Sequence, residues 1–307
     1  MKKRKFYKDI INHGYQRTAD GGVLFYTQSD HLVYFTIYCC VARKYGVKVL
    51  ALCQMPDHLH DAVTARSYQA YSGFKKEVNS RFAKEYNEEC HRQGPVFETP
   101  FGSAPKIGIK KGRSNLIYIA NNAVERQLVT RAEDYRWNYL AYSLSSHPFS
   151  DPLVIRRASK GLRTALKIAE AQFKAGRPLN YTLLKNLTKD LTPEEIQQFT
   201  DWVVSTYNVI DYTEASRYFD TLAEMYIAIH ADTGSEFDLN ETFVGKSDKP
   251  YAQMTRIILG TGKWNDIHEI IALDRESKLE LFNLLRKQTG AMSEQIGKYL
   301  HLPIIKK

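Results

Sequence analysis

The first 130 residues alternate between short apolar runs and longer segments whose apolar positions recur at helical spacing. Short runs of β-branched and aliphatic residues bounded by turn formers are typical of strands, and apolar positions three and four apart indicate amphipathic helices. The pattern predicts, in order, a strand at 9–15, a helix at 29–45, strands at 47–53 and 58–65, a helix at 68–89, an extended segment at 94–108 and a helix at 114–129. Ser29 or Asp30 is expected to cap the first helix and Gly46 to end it, while Ser114 is expected to cap the last.

The order of these elements, β-α-β-β-α-β-α, indicates the split βαβ arrangement, in which helices back an antiparallel sheet. The two middle strands are separated by Met55-Pro56-Asp57, which predicts a tight turn because proline fixes its own φ and the aspartate can close the bend. We therefore predict an α+β fold with a ferredoxin-like antiparallel sheet, whose two middle strands form a hairpin.

From residue 153 onward the pattern is helical throughout. It predicts a basic amphipathic helix at 153–175 ended by Gly176, a helix starting at Thr192, one at 212–230 ended near Gly234, one starting near Asp248, and two shorter ones within 277–301. The start at Thr192 is strongly marked, since Pro193 occupies the first helical position and Glu195 can close a capping box. The turn-rich stretch 145–152 predicts a boundary between a first domain, 1–152, and a helical domain, 153–307. An ordinary loop within one larger domain is the alternative.

The composition, 43% hydrophobic and 25% charged, is that of an ordinary globular protein. The chain has no apolar run of about 18 residues, and no apolar stretch follows the basic residues at 1–9, so neither a membrane span nor a secretory signal is predicted. Four cysteines without CxxC spacing indicate reduced thiols: Cys39, Cys40, Cys53 and Cys90. We therefore expect a cytoplasmic protein.

The net charge of +9 is concentrated in the first half of the chain. Residues 1–142 contain 22 Lys and Arg against 13 Asp and Glu, whereas residues 143–307 contain 21 of each kind. A basic half that also carries many aromatic side chains suits a nucleic acid, and single strands in particular, because bases stack on aromatic rings. A basic, solvated surface without a partner remains the alternative.

His58 and His60 are the first candidate site. In a strand these side chains leave on the same face, since side chains alternate with period two. Two neighbouring imidazoles are a good start for a divalent metal site. Ordinary strand histidines are the alternative, and a zinc site that includes Cys53 is a further one.

Tyr118 is the second candidate. The apolar face of its predicted helix is formed by Leu116, Ile117, Ala120, Ala123, Val124 and Leu128. At about 100° per residue, Tyr118, Asn122 and Glu125 fall together on the opposite face. A tyrosine nucleophile requires a phosphate held by cations, and a divalent ion can polarise the phosphoryl oxygen. Asn122, one turn away, would offer the ion a neutral oxygen ligand, and a surface tyrosine is the alternative.

Three segments in this order resemble the single-tyrosine HUH transposases of insertion sequences, and most closely the REP-associated tyrosine transposases. They are Met55-Pro56-Asp57-His58-Leu59-His60, Tyr118-Ile119 with Asn122, and Asp134-Tyr135-Arg136-Trp137. The similarity covers roughly residues 5–143. It implies that 1–152 is an HUH catalytic domain.

The resemblance implies that His58 and His60 bind Mg²⁺ or Mn²⁺ with the help of Asn122. It implies that Tyr118 is the nucleophile, which forms a 5′-phosphotyrosine link and frees a 3′-OH in single-stranded, hairpin-bearing DNA. The expected function is DNA transposition by a monomer or a homodimer. The alternatives are a domesticated binder of folded single strands that does not cut them, and a metalloprotein of unrelated function.

The sequence departs from the family pattern at three positions. Asp57 stands where the family has Asn, Asp61 where it has an apolar residue, and Ala123 where it has Pro. Asp61 could face solvent or perturb the metal site. In the second half, 277–302 resembles the first two helices of a helix-turn-helix, with a plain helical hairpin as the alternative.

Overall fold

The computed structural model describes residues 6–99, 101–231 and 244–303. Its first part is a four-stranded antiparallel sheet, formed by β1 (Ile11–Arg17), β2 (Lys48–Met55), β3 (His58–Thr64) and β4 (Gly102–Lys106). The strand order is β2-β3-β1-β4, so β1 and β3 are central. The predicted α+β fold with an antiparallel sheet is confirmed, and the β2–β3 hairpin turns at residues 56–57 as expected.

Three long helices accompany the sheet. They are α1 (Gln28–Tyr45), α2 (Tyr68–Glu89) and α3 (Ile109–Glu125). The predicted bounds of α2 and the end of α1 at Gly46 are confirmed, and Gly46 adopts the left-handed conformation that ends a helix, with φ 60°.

The predicted caps of α1 and α3 are wrong. Thr27, not Ser29 or Asp30, caps α1, and Asp30 completes the capping box as its third residue. Helix α3 begins after Gly108 without a side-chain cap, so Ser114 lies inside the helix. Serine has only a modest cost inside a helix, and here residues 109–113 extend the helix before it by more than one turn.

From Lys160 onward the described chain is mainly helical, as predicted. The helices are α4 (Lys160–Lys174), α5 (Tyr181–Thr188), α6 (Pro193–Tyr207), α7 (Tyr212–Ser216), α8 (Leu222–Ala231), α9 (Lys249–Gly260), α10 (Arg275–Gln288) and α11 (Ser293–Tyr299). The capping box of Thr192 and Glu195 is present at the start of α6. Helices α10 and α11 occupy the segment that resembles a helix-turn-helix, an interpretation that stays a prediction.

Two predicted helices differ from the structure. The first begins at Lys160 rather than at 153, because residues 155–157 form a turn and Ser159 provides the cap. The helix predicted at 212–230 is broken into α7 and α8, since Asp220 adopts a left-handed conformation (φ 69°) that a helix cannot accommodate. Gly234, its predicted end, lies outside the described residues.

The sheet separates two hydrophobic cores. One face packs against α1 and α2, in a core that continues into α4, α5 and α6. The opposite face packs against α3, in a core completed by α7 and α8. Because helices of the second half take part in both cores, they pack directly on the sheet unit. The domain boundary at 145–152 therefore stays a prediction. No helix among the described residues combines the length and apolarity needed to cross a membrane.

Candidate active site

The hairpin places His58 and His60 on one face of β3. Their ring centroids lie 5.0 Å apart with the planes at 84°. Both imidazoles are buried, and the face they occupy is the one that packs against α3. The alternation of side chains along a strand thus brings the two rings together, as the sequence predicts.

His13, which sequence reasoning missed, joins them from the neighbouring strand β1. Its Nε2 lies 3.0 Å from Nδ1 of His60, and both residues are fully buried. In the β1–β3 register His13 pairs with Ala62, so it reaches His60 diagonally on the same face. The alternation of side chains along the predicted first strand places His13 on one face of the sheet. That His60 is its neighbour there depends on the order of the strands.

Tyr118 is brought to these histidines by α3. Its ring centroid lies 5.5 Å from that of His60 and 5.9 Å from that of His13. The side chain is 7% exposed. The alternative of a surface tyrosine is therefore excluded, because α3 is buried on both faces, with Asn122 also inside. We call His13, His58, His60 and Tyr118 the histidine site.

Asn122 lies on the same side of α3 as Tyr118, but its side-chain amide is engaged within the helix. Its Nδ2 donates a hydrogen bond to the Tyr118 carbonyl oxygen at 2.9 Å. Its role as a metal ligand stays a prediction. Asn115, one turn before Tyr118, contacts the histidines instead: its amide nitrogen lies 2.7 Å from Nδ1 of His13.

Asp57, at the hairpin turn, holds the ring of His58. Nδ1 of His58 lies 2.6 Å from its carboxylate. Lys298 of α11 makes an ion pair with the same carboxylate. Burial alone would raise the pKa of Asp57, but the interaction with His58, and then the positive charge of Lys298, outweigh it and hold the pKa below its usual range. The second half of the chain therefore reaches the site.

The arrangement fits a divalent cation. Nδ1 of His58 faces Asp57 and Nδ1 of His60 faces His13, so Nε2 is the nitrogen through which each ring would act as a ligand. Carboxylates and other acceptors that bind the second ring nitrogen orient metal-binding histidines in this way. Burial, and then the positive charges around it, lower the pKa of His60 well below its usual range, so the ring is neutral as a ligand must be.

Cys53 pairs with His60 in the β2–β3 register, and burial raises the pKa of its thiol far above the usual range. A zinc site that includes Cys53 stays a prediction. The four cysteines are free, as predicted.

Asp61 neither faces solvent nor reaches the histidine site. It lies on the opposite face of β3, buried, with its carboxylate 2.6 Å from Nζ of Lys75 and 3.0 Å from the Tyr38 hydroxyl. A side chain at Gly14 would collide with this carboxylate. Asp61, one of the residues that depart from the family pattern, is therefore part of a buried ion pair on the face of the sheet opposite the histidine site.

A second group resembles a metal site in composition: Glu89, Asp266 and His268, with Asp30 beside them. We call these four residues the His268 cluster. The two ring nitrogens of His268 lie 2.8 Å from Asp30 and 2.8 Å from Asp266. Burial alone would lower the pKa of His268, but Asp30 and Asp266 outweigh it and raise it to about 10. The ring is thus an imidazolium, and a protonated ring has no lone pair for a metal.

No family model matches the sequence, and no curated protein matches it. A solved structure of a REP-associated tyrosine transposase bound to a REP hairpin is similar to this chain at 16% identity, over 45% of this chain and 81% of that one. The TM-score is 0.39. A similarity at this score does not show a shared fold, so the function of this chain is argued below from its own residues.

Proposed function

We propose that this protein cleaves and rejoins single-stranded DNA, with Tyr118 as nucleophile and a divalent cation bound by His58 and His60. The observation that supports the proposal is the position of the Tyr118 ring, 5.5 Å from the ring of His60 in a buried group of imidazoles. A phenol beside a pair of metal-binding residues is the combination that phosphoryl transfer to tyrosine needs.

The proposed reaction exchanges one phosphodiester for another. The phenolic oxygen of Tyr118 attacks a backbone phosphorus, a bond from phosphorus to the tyrosine forms, and the bond to the 3′ oxygen breaks. The phenolic proton is lost and the 3′ oxygen gains one, so the step is balanced and leaves a 5′-phosphotyrosine and a 3′-OH. Attack of a 3′-OH on this linkage reverses the step without an external energy source.

The role of the protein side chains in this proposal is to bind the divalent cation. His58 and His60 would hold Mg²⁺ or Mn²⁺ through Nε2, with Asn122 as the proposed third ligand. The bound cation would supply positive charge to the phosphate oxygens. Since imidazoles suit transition ions better than Mg²⁺, we expect tighter binding of Mn²⁺.

The start of α3 offers a surface for the DNA backbone. Lys110, Lys111 and Arg113 are exposed there, and the first turn contains no acidic residue. Helix N-termini favour anions, and Tyr118 lies about 12 Å further along the same helix at 1.5 Å per residue. A phosphate chain bound at these side chains would be led toward Tyr118, which supports a single strand as the partner.

The test uses labelled DNA with a hairpin and a single-stranded flank, incubated with the protein and Mn²⁺. We expect a covalent adduct that survives denaturing electrophoresis and that Tyr118→Phe abolishes while DNA binding is retained. Tyr68→Phe is the control, because Tyr68 is 41% exposed and lies outside the site. An adduct in the Tyr118→Phe variant would assign the nucleophile elsewhere. If the unaltered protein binds the DNA without forming an adduct, it is a non-cleaving binder. If it neither binds the DNA nor forms an adduct, it is an unrelated metalloprotein.

Salt dependence tests the DNA surface separately. Neutralised phosphates release counterions, so affinity should fall steeply with salt, and Lys110→Gln with Lys111→Gln should reduce the slope of log K against log salt by about one for each lysine. Lys174→Gln, an exposed change at the end of α4, should leave the slope unchanged. An unchanged slope in the double variant would remove the start of α3 from the interface.

A further inference from the structure

A chain of three buried side chains leads from α3 to the proposed ligand His60. Asn115 lies 2.7 Å from Nδ1 of His13, and Nε2 of His13 lies 3.0 Å from Nδ1 of His60. The three residues belong to α3, β1 and β3, and none is more than 1% exposed. When both rings are neutral, each carries one N–H and one lone pair, so the hydrogen bonds of the chain have a direction.

One direction prevents His60 from binding a cation. If Asn115 presents its amide nitrogen, it donates to Nδ1 of His13, and the N–H of His13 at Nε2 donates to Nδ1 of His60. The proton of His60 then sits on Nε2. This is the atom that the proposed cation needs.

The other direction prepares His60. If the amide of Asn115 is rotated by half a turn, its oxygen accepts the Nδ1 proton of His13, and Nε2 of His13 accepts the Nδ1 proton of His60. Nε2 of His60 is then a lone pair. An asparagine amide presents either atom from nearly the same position, so the choice rests on a single rotation.

His58 has no such choice. The group facing its Nδ1 is the carboxylate of Asp57, at 2.6 Å, and an ionised carboxylate only accepts hydrogen bonds. The proton of a neutral His58 is therefore fixed on Nδ1. Of the two proposed ligands, only His60 has its tautomer set by a reversible partner.

We propose that Asn115 is a positioning residue that, through His13, holds the proton of His60 on Nδ1 and so makes Nε2 available to the cation. This inference rests on the proposed function, since it concerns the same metal site. Asn115 touches neither the cation nor the DNA in this arrangement. Its role is to select the tautomer, and metal binding would turn its amide oxygen toward His13.

The test compares the unaltered protein with Asn115→Leu, whose side chain can neither accept nor donate a hydrogen bond. We expect Asn115→Leu to bind Mn²⁺ about 10- to 100-fold more weakly than the unaltered protein, the usual effect of losing such a partner. Calorimetry or the Mn²⁺ spin-resonance signal measures this without catalysis. Asn121→Leu is the matched control, because Asn121 on the same helix donates to Ile229 instead.

Nitrogen-15 spectra of the histidine rings without metal read the tautomer directly. In the unaltered protein the proton of His60 should be on Nδ1, and in Asn115→Leu it should shift toward Nε2. The same spectra show whether His13 stays neutral. Asn115→Ser, which is too short to reach His13, replaces Asn115→Leu if that variant does not fold.

The outcomes separate the inference from the function it rests on. If His58→Ala leaves Mn²⁺ binding unchanged, the metal site itself is wrong. If His58→Ala abolishes binding while Asn115→Leu and Asn115→Ser bind as the unaltered protein does, with unchanged ring tautomers, the positioning role of Asn115 is overturned.

Discussion

The histidine site and the His268 cluster are both buried groups built around imidazoles, yet their chemistry is opposite. In the first, His60 faces another imidazole, and its pKa is lowered by burial and by positive neighbours. In the second, His268 lies between two carboxylates, and its pKa is raised to about 10. Since both rings are buried, the comparison shows that the partners of a buried histidine decide whether its ring is a neutral ligand or an imidazolium cation.

The His268 cluster also has a different place in the fold. Asp30 begins α1 and Glu89 ends α2, whereas Asp266 and His268 come from the segment between α9 and α10. Lys185 of α5 adds an ion pair with Glu89 at 2.5 Å. The charges therefore join the sheet unit to the helices of the second half, which is a structural role.

The largest effect expected is on stability. His268→Ala leaves the fully buried carboxylate of Asp30 without its counter-charge, and breaking a buried pair in this way costs about 3–5 kcal/mol of unfolding free energy. Urea denaturation measures the loss. His58→Ala is the comparison, and should cost much less because Asp57 keeps Lys298. A loss below about 1 kcal/mol in His268→Ala would mean that the ring is not a cation.

The next effect separates the two groups by metal affinity. His60→Ala should lower Mn²⁺ affinity about 100-fold or more, since a lost ligand costs at least as much as a lost supporting residue. Asp266→Asn should leave the affinity unchanged, because His268 offers no lone pair there. Calorimetric titration of both variants with Mn²⁺ decides which of the two groups binds the metal. If the metal binds at the His268 cluster, Asp266→Asn and not His60→Ala should lower the affinity.

The third effect is a pH dependence. The pKa of His268 is about 10 in the folded state and 6.5 for the unperturbed ring. At a pH between these two values, the folded state binds a proton that the unfolded state has lost. The stabilisation is complete below pH 6.5 and is lost as the pH rises toward 10, by at most about 1.4 kcal/mol for each pH unit. Urea midpoints from pH 7 to pH 9 should fall for the unaltered protein. They should fall less in the double variant Asp30→Asn with His268→Gln. If the urea midpoints of the two proteins fall equally with pH, His268 is not the group responsible.

The smallest effect concerns Lys185. Its side chain is 56% exposed although it pairs with Glu89 and Asp266. Exposed ion pairs contribute little, so Lys185→Ala should lower the unfolding free energy by less than about 1 kcal/mol. The same urea experiment measures it. A loss as large as that of His268→Ala would show that the lysine, and not the imidazolium, balances the carboxylates.

Local signals explain which elements could be predicted. The hairpin turn, the bounds of α2 and the capping box at Thr192 depend on neighbouring residues, and they agree with the structure. The start of α3 and the break between α7 and α8 do not depend on such signals. Gly108 offers no capping side chain, and Asp220, an exposed residue, adopts a left-handed conformation that aspartate does not by itself predict.

The sequence by itself determined that His58 and His60 share a face and that Asn122 follows Tyr118 by one turn, because the periods of strands and helices are local properties. Only the tertiary structure decided that His13 and Asn115 join that face, that Asp61 meets Lys75, and that His268 meets Asp30. These contacts follow from strand order and from helices packed across the two cores. A side chain's direction is set by its own backbone, whereas its partner is set by burial shared between distant segments.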